Sequence, residues 1–220
     1  MISIAIDGPA GAGKSTLSRK AAEALGFIYV DTGALYRTVG LKFSKAGFDT
    51  ELNCDVNEIL KDTTVDIRFV GGEQRVFLDG CDVSEEIRTP IASMMASAVS
   101  AKGEVRAFLL EMQRKLAREN NVVMDGRDIG TVVLPNATLK LFLTATAEDR
   151  AQRRYDELVA KGTKVTFKEV YDDMVQRDYN DSHREIAPLK QAEDAVLLDT
   201  TGFEAEQSLE LILKTIKESI

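Results

Sequence analysis

The chain has 220 residues, enough for one compact domain with an insertion or for two small ones, and its 44% hydrophobic content excludes wholesale disorder. Its 28 basic and 36 acidic residues give a net charge of −8, which argues against non-specific attraction to DNA, RNA or an anionic membrane. The two cysteines, Cys54 and Cys81, have no CxxC spacing and no histidine-rich neighbourhood, which argues against a disulfide framework or a zinc site.

The first element is an apolar run, residues 2–6, broken only by Ser3 and read as a short buried strand. It has no basic flank and meets Asp7 too soon for a signal peptide, and no later stretch approaches the roughly 18 residues of a membrane span. A soluble cytoplasmic protein is expected. Next comes Gly8-Pro9-Ala10-Gly11-Ala12-Gly13-Lys14-Ser15-Thr16, which matches GxxxxGK[ST] in full. The motif sits between a strand and a helix expected from Lys14 to Leu25, the context it requires. Glycines let backbone N–H groups converge on phosphate oxygens, and the helix N-terminus adds partial positive charge. Lys14 is placed to reach the β and γ phosphates, and the Ser15 hydroxyl to ligate Mg²⁺. The loop therefore predicts nucleoside triphosphate binding. No guanine-reading NKxD motif is present, which argues against a regulatory GTPase.

Gly26 ends the helix, and Phe27-Ile28-Tyr29-Val30 makes a second strand, followed directly by Asp31-Thr32-Gly33-Ala34-Leu35-Tyr36-Arg37. Residues 65–70 and 74–78 alternate around Gly71-Gly72 and predict an antiparallel hairpin inside an inserted module, residues 37–100. Strands follow at 121–124, 139–143 and 195–198, and a last helix runs from about Glu204 to Lys217. Parallel strands separated by helices imply an α/β fold with helices on both faces of a five-stranded sheet. Residues 146–186 form a second insertion, polar, helical and arginine-rich, without a strong apolar stripe.

Phosphoryl transfer needs positive charge on both anions and on the migrating group, with water kept out. Arg37 and Arg127 each lie just after a strand, where ligands bind in such sheets. Asp125 ends an apolar strand, and a carboxylate there needs a partner. A Mg²⁺ shell reached through water, the surroundings of an acceptor phosphate, or a helix cap would each supply one. Arg150, Arg153 and Arg154 share a helix face, read either as a solvated face or as a lid that lays arginines across the triphosphate on closing. Arg177, Asp181 and Arg184 show helical spacing too, and His183, the one histidine, falls off that face.

GPAGAGKST, DTGALYR, VDIRF, DVSEEIRT, VVMDGRDIGTVV and the RDxxDxxR of residues 177–184 occur in the order found in the bacterial cytidylate kinases, and the chain resembles that family over nearly its whole length. DGRDIGTVV discriminates most, since adenylate kinases carry an Asp-Gly-Phe-Pro-Arg element there. The resemblance implies transfer from ATP to CMP or dCMP by a P-loop kinase with a core (residues 1–36, 101–145 and 187–220), a monophosphate-binding module (37–100) and a lid (146–186). It implies that residues 8–16 hold ATP and that Lys14, Asp125, Arg127, Arg153 and Arg154 serve catalysis. Arg37, Arg127 and Arg184 would clamp the acceptor phosphate, and Arg177 and Asp181 would face the sugar. Ser97, Arg106 and Asp128, with Thr32 nearby, would line the cytosine. Ser15 stands where some relatives have glycine, which favours Mg²⁺ ligation. The implied partners are free nucleotides rather than nucleic acid or membrane, and a monomer is expected. The competing readings are a kinase for another acceptor, such as UMP or shikimate, and a nucleotide-binding regulatory module without transfer activity.

Overall fold

Strands and helices alternate along the chain. In the computed structural model, which describes every residue except Gly72, β1 (Ser3–Asp7) leads through loop 8–13 into α1 (Lys14–Leu25), β2 (Ile28–Asp31), α2 (Thr32–Lys45) and α3 (Val56–Lys61). Then come β3 (Val65–Val70), β4 (Glu73–Leu78), β5 (Cys81–Asp82), α4 (Pro90–Ser100) and α5 (Gly103–Glu119). β6 (Val122–Gly126) is followed by a π-helical turn, Ile129–Val133, and by β7 (Leu139–Thr144), α6 (Ala147–Ala160), α7 (Phe167–His183), β8 (Val196–Asp199) and α8 (Ala205–Ser219).

The five expected strands form one parallel sheet in the order β2-β6-β1-β7-β8. β6 and β1 lie inside it and are covered on both faces, which is why each reads as an apolar run up to a terminal carboxylate. The register sets Asp7 beside Gly126 and Asp31 beside Asp125, so the carboxyl ends of β1, β2 and β6 open on one edge. β2 begins at Ile28 rather than at the expected Phe27. The Phe27 amide donates to the Ala22 carbonyl at 2.9 Å, closing the left-handed Gly26 cap of α1, and is lost to strand pairing.

The hairpin pairs as expected, from Val65 opposite Leu78 to Val70 opposite Glu73, and gains β5 as a third strand. Gly72 of the expected turn lies outside the described residues. Leu35, Val39, Phe43, Val76, Leu78, Val99 and Leu109 bury one apolar core between this small sheet, α2, α4 and α5. α4 crosses α2 at Gly40, where a Cβ would meet the Met95 Cβ at 2.9 Å. The expected boundary at residue 37 falls inside α2, so the core and the inserted module share one continuous helix. A second core of Ile4, Ile6, Leu17, Leu141, Leu143, Ile212 and Ile216 joins the large sheet to α1 and α8. α6 and α7, where no strong apolar stripe is expected, are held by a small cluster of Ala151, Val170 and Met174 with Tyr155, Leu158, Val165 and Tyr171 around it. Among the described residues no helix is long and apolar enough to cross a membrane.

Candidate active site

Residues 8–13 turn sharply at the end of β1. Gly11 and Gly13 adopt left-handed φ values of +72° and +81°, which only glycine takes without strain. α1 starts at Lys14, so the orphan amides of its first turn open toward the loop, a ready anion site. Lys14 is buried, and its Nζ donates to the Pro9 carbonyl at 2.7 Å. Burial and the Arg127 guanidinium draw the ammonium down to about 7, against the pull of Asp125, Asp7 and Asp181. Next to it, Ser15 and Thr16 stand on the exposed side of α1.

Asp125, next to the last residue of β6, is a buried carboxylate, and its partners show how the burial is tolerated. The Ser15 hydroxyl donates to Oδ2 at 3.0 Å and the Tyr29 hydroxyl to Oδ1 at 2.8 Å. Burial and neighbouring Asp31 push its carboxyl up to about 6. A helix cap, one of the three expected partners, is not what it finds. The buried Thr32 hydroxyl donates to the Asp125 main-chain carbonyl at 2.7 Å, bringing the β2 and β6 ends together rather than pointing into an open pocket. Asp31 caps α2 by accepting from the Ala34 amide and pairs with Arg37 at 2.9 Å.

A second group of charges meets just beyond. Asp128 accepts from Arg106 of α5 in a short contact, and its other oxygen lies 3.4 Å from Arg184 Nη2. Asp181 accepts from Arg127 Nε at 2.8 Å and lies 4.0 Å from Arg184 Nη1. Arg106 also grips the Ser100 carbonyl at 3.1 Å, so the α4–α5 junction, with Ser97 one turn before it, sits beside Asp128. Burial pulls the Arg127 guanidinium down, but Asp181 and Asp125 outweigh it and hold the group above its ordinary value. Arg184 is held below its own by burial and by Arg106.

Thus Arg106, Arg127, Asp128, Asp181 and Arg184 come together, and Arg177 does not join them. It leans toward Asp173 at 3.7 Å on its own helix. The shared face expected for Arg177, Asp181 and Arg184 fails because α7 ends at His183. Arg184 has extended backbone, and its Nε turns back to the Ala187 carbonyl. His183 is exposed and stacked on Tyr179. The three arginines of α6 also part company. Arg150 is buried, Arg153 donates to the Thr200 and Phe203 carbonyls at 2.6 and 3.2 Å, and Arg154 pairs with Glu157 in solvent. None of them lies across the glycine loop as an exposed charge.

Two site carboxylates escaped the sequence reading. Asp7 is buried at the end of β1 and accepts from the Ile129 and Gly130 amides at 2.8 and 2.7 Å, tying the start of the glycine loop to the turn after Asp128. Burial pushes it up to about 6 against those two bonds. The signal was the one applied to Asp125, a carboxylate closing an apolar strand. Asp178 of α7 lies against the glycine loop, and its signal was its place as the second residue of RDxxDxxR.

The description "Cytidylate kinase" belongs to the family model that matches residues 4–218. Cytidylate kinases of Caldicellulosiruptor bescii and Caldanaerobacter subterraneus are 52% and 50% identical, covering 100% and 99% of this chain and 99% and 96% of their own. In fold the chain is similar to a Bacteroides thetaiotaomicron shikimate kinase (TM-score 0.50, 13% identity, 98% of each chain). It is similar as well to an uncharacterized protein of Eubacterium ventriosum (TM-score 0.54, 13% identity, 99% of each chain). At 13% identity both show a shared α/β fold and nothing of substrate. With a family match that leaves out only three residues at one end and two at the other, and relatives half identical from end to end, the chain belongs to the cytidylate kinase family.

Proposed function

We propose that the chain transfers the γ-phosphoryl group of ATP to CMP or dCMP, releasing ADP and CDP or dCDP. The observation that carries this reading is the meeting, at one sheet edge, of the Lys14 loop with the cluster of Arg106, Arg127, Asp128, Asp181 and Arg184. In it, residues 8–16 cradle the ATP phosphates and Lys14 exchanges the Pro9 carbonyl for a phosphate oxygen. Arg37, Arg127 and Arg184 take the acceptor phosphate and Asp181 the sugar, which Arg177 would reach only by leaving Asp173. Asp128 accepts from the cytosine 4-amino group while Arg106 and Ser97 donate to the ring. The acceptor phosphate is itself a nucleophile at neutral pH, so no general base is required and the exposed His183 has no part. What the chain supplies is fixed positive charge and a closed, dry space between two phosphates.

One hydroxyl and one carboxylate, Ser15 and Asp125, fit Mg²⁺ better than a tighter metal site, because Mg²⁺ keeps several waters and shares substrate phosphates. Among the described residues no cluster of three or more histidine, cysteine or acidic side chains forms a metal cage. Ser15 would hold the ion directly and Asp125 through water. When bound it neutralises phosphate charge. Tyr29 and Ser15 orient the Asp125 carboxylate for that task.

The core of residues 1–36, 101–145 and 187–220, the acceptor module 37–100 and the lid 146–186 are the moving parts of this reading. A cytoplasmic setting, pyrimidine nucleotide metabolism and free nucleotides as the partners go with it. A panel of monophosphates with ATP as donor, read by ADP release, tests the proposal. CMP and dCMP should turn over fastest and UMP more slowly. Faster turnover of UMP or shikimate, or ATP binding with no ADP release for any monophosphate, overturns it.

A further inference from the structure

Ala10, in the middle of the glycine loop, is gripped on both sides of its Cα by α6 and α7. Its N–H donates to Asp178 Oδ1 of α7 at 3.0 Å, and its carbonyl accepts from Arg150 Nη1 of α6 at 2.7 Å. The same Nη1 donates to Asp178 Oδ2 at 2.6 Å, and Arg150 Nε donates to the Ala145 carbonyl at 2.9 Å. Arg150 is almost wholly enclosed, with 7% of its side chain exposed. The next residue shows how closely the helices press. A Cβ on Gly11 would meet the Met174 Cε at 2.3 Å and the Arg150 Cβ at 3.3 Å.

We infer that Arg150 and Asp178 are positioning residues for the donor site: their ion pair fixes the two peptide planes that flank the Ala10 Cα, and with them the direction of the loop amides that receive the triphosphate. The Ala10 N–H belongs to the Pro9–Ala10 peptide and its carbonyl to the Ala10–Gly11 peptide, so one hydrogen bond on each leaves the two successive planes little freedom to rotate. The arrangement also keeps the loop attractive to anions. A carboxylate so close to a phosphate site would repel the ligand, and the Arg150 guanidinium offsets that charge. Arg150 is therefore not a finger laid on the phosphates but a brace behind them. The inference rests on the reading of the loop as the ATP site, not on the identity of the acceptor.

Calorimetric titration of ADP and, separately, of CMP against Asp178→Ala tests it. ADP should bind about tenfold more weakly, the loss of one net hydrogen bond at a site that must stay ordered, while the CMP Kd stays within about twofold. Hydrogen exchange at residues 9–12 should quicken in the same variant. Asp178→Asn keeps an acceptor for the Ala10 amide and loses the ion pair. It should weaken ADP about threefold, and it serves if the alanine variant does not fold. ADP affinity within twofold of the parent in the folded alanine variant, or no loss of ADP affinity in the asparagine variant, overturns the inference. So does an equal weakening for ADP and CMP, which marks a merely structural pair. If the parent binds ADP but phosphorylates another acceptor, the functional reading fails and this one stands. A parent that binds no ADP sinks both.

Discussion

In the function proposed above, the acceptor end and the donor end of the sheet edge hold their arginines in opposite ways. At the acceptor end Arg106, Arg127 and Arg184 come from three separate segments and are locked onto two carboxylates, Asp128 and Asp181, in a partly buried network. At the donor end Arg153 and Arg154 sit on one helix and face away, onto the Thr200 and Phe203 carbonyls and onto Glu157. A buried guanidinium must be paired to be tolerated, so the acceptor arginines are placed before any ligand arrives. An exposed ion pair such as Arg154–Glu157 is worth little and is easily exchanged. Under the proposed function, acceptor recognition would then proceed by swapping partners within a built pocket, and donor engagement by moving a helix.

The largest test of this contrast removes the charge both ends share. Lys14→Ala should lower kcat on the order of 10³-fold with little change in folded content by circular dichroism, since its one hydrogen bond is to the Pro9 carbonyl. Near-normal turnover would take the loop out of the mechanism. Next, Arg153→Ala with Arg154→Ala should cut kcat on the order of 10²-fold and leave the KM for CMP nearly unchanged, if these side chains turn inward only on closing. Equal losses in kcat and in CMP binding would place them on the acceptor and dissolve the contrast.

Asp128→Ala sharpens the other side. It strips Arg106 and Arg184 of a shared partner and leaves the cytosine amino group unpaired, at about 1–3 kcal/mol. The ratio of kcat/KM for CMP over UMP should fall roughly 10- to 100-fold while the KM for ATP barely moves. An unchanged ratio with weaker ATP binding would assign Asp128 to the donor.

A smaller effect concerns pH. Asp7 keeps its proton to about pH 6 in the folded protein, whereas the unfolded chain releases it near 3.8. The folded state thus binds more protons across that interval, and the contribution of Asp7 to stability falls as pH rises from about 4 to about 6, by about 1–3 kcal/mol. Denaturation midpoints for the parent and Asp7→Asn should converge toward the acid end of that window and separate toward its upper end. Parallel curves would mean that Asp7 is not the group responsible. The smallest effect is expected for Tyr29→Phe, which removes one of two donors to Asp125. It should raise the Mg²⁺ concentration for half-maximal activity only a fewfold, by about 1 kcal/mol. A shift as large as that of Ser15→Ala would make Tyr29 far more than an orienting group.

How far these features were legible depended on whether they are local. The glycine loop, the five strands and the hairpin announce themselves in consecutive residues, because strand period and glycine geometry are properties of short segments. Arg127 was reached through its place just after a strand, Asp128 through a motif matched to a family, and Arg106 through the resemblance to that family alone. Spacing alone misled at Arg184, where a helix assumed to run on had already ended. Nor does helical periodicity tell a guanidinium in solvent from one under a loop, so Arg150, Arg153 and Arg154 looked alike although their surroundings differ completely. The Asp178–Ala10 bond spans 168 residues, and no local pattern encodes it.

Gly8 carries a consequence for anyone who would stiffen the loop. At φ +149° its missing side chain points at β7, where a Cβ would meet the Leu143 carbonyl oxygen at 2.0 Å. A methyl group there acts as a wedge between neighbouring strands. Leu143 lies two residues before Ala145, whose carbonyl anchors Arg150, so the wedge would lift the root of α6 as well. The root of α6 and the floor of the loop are in effect one joint, and it closes only around a hydrogen atom.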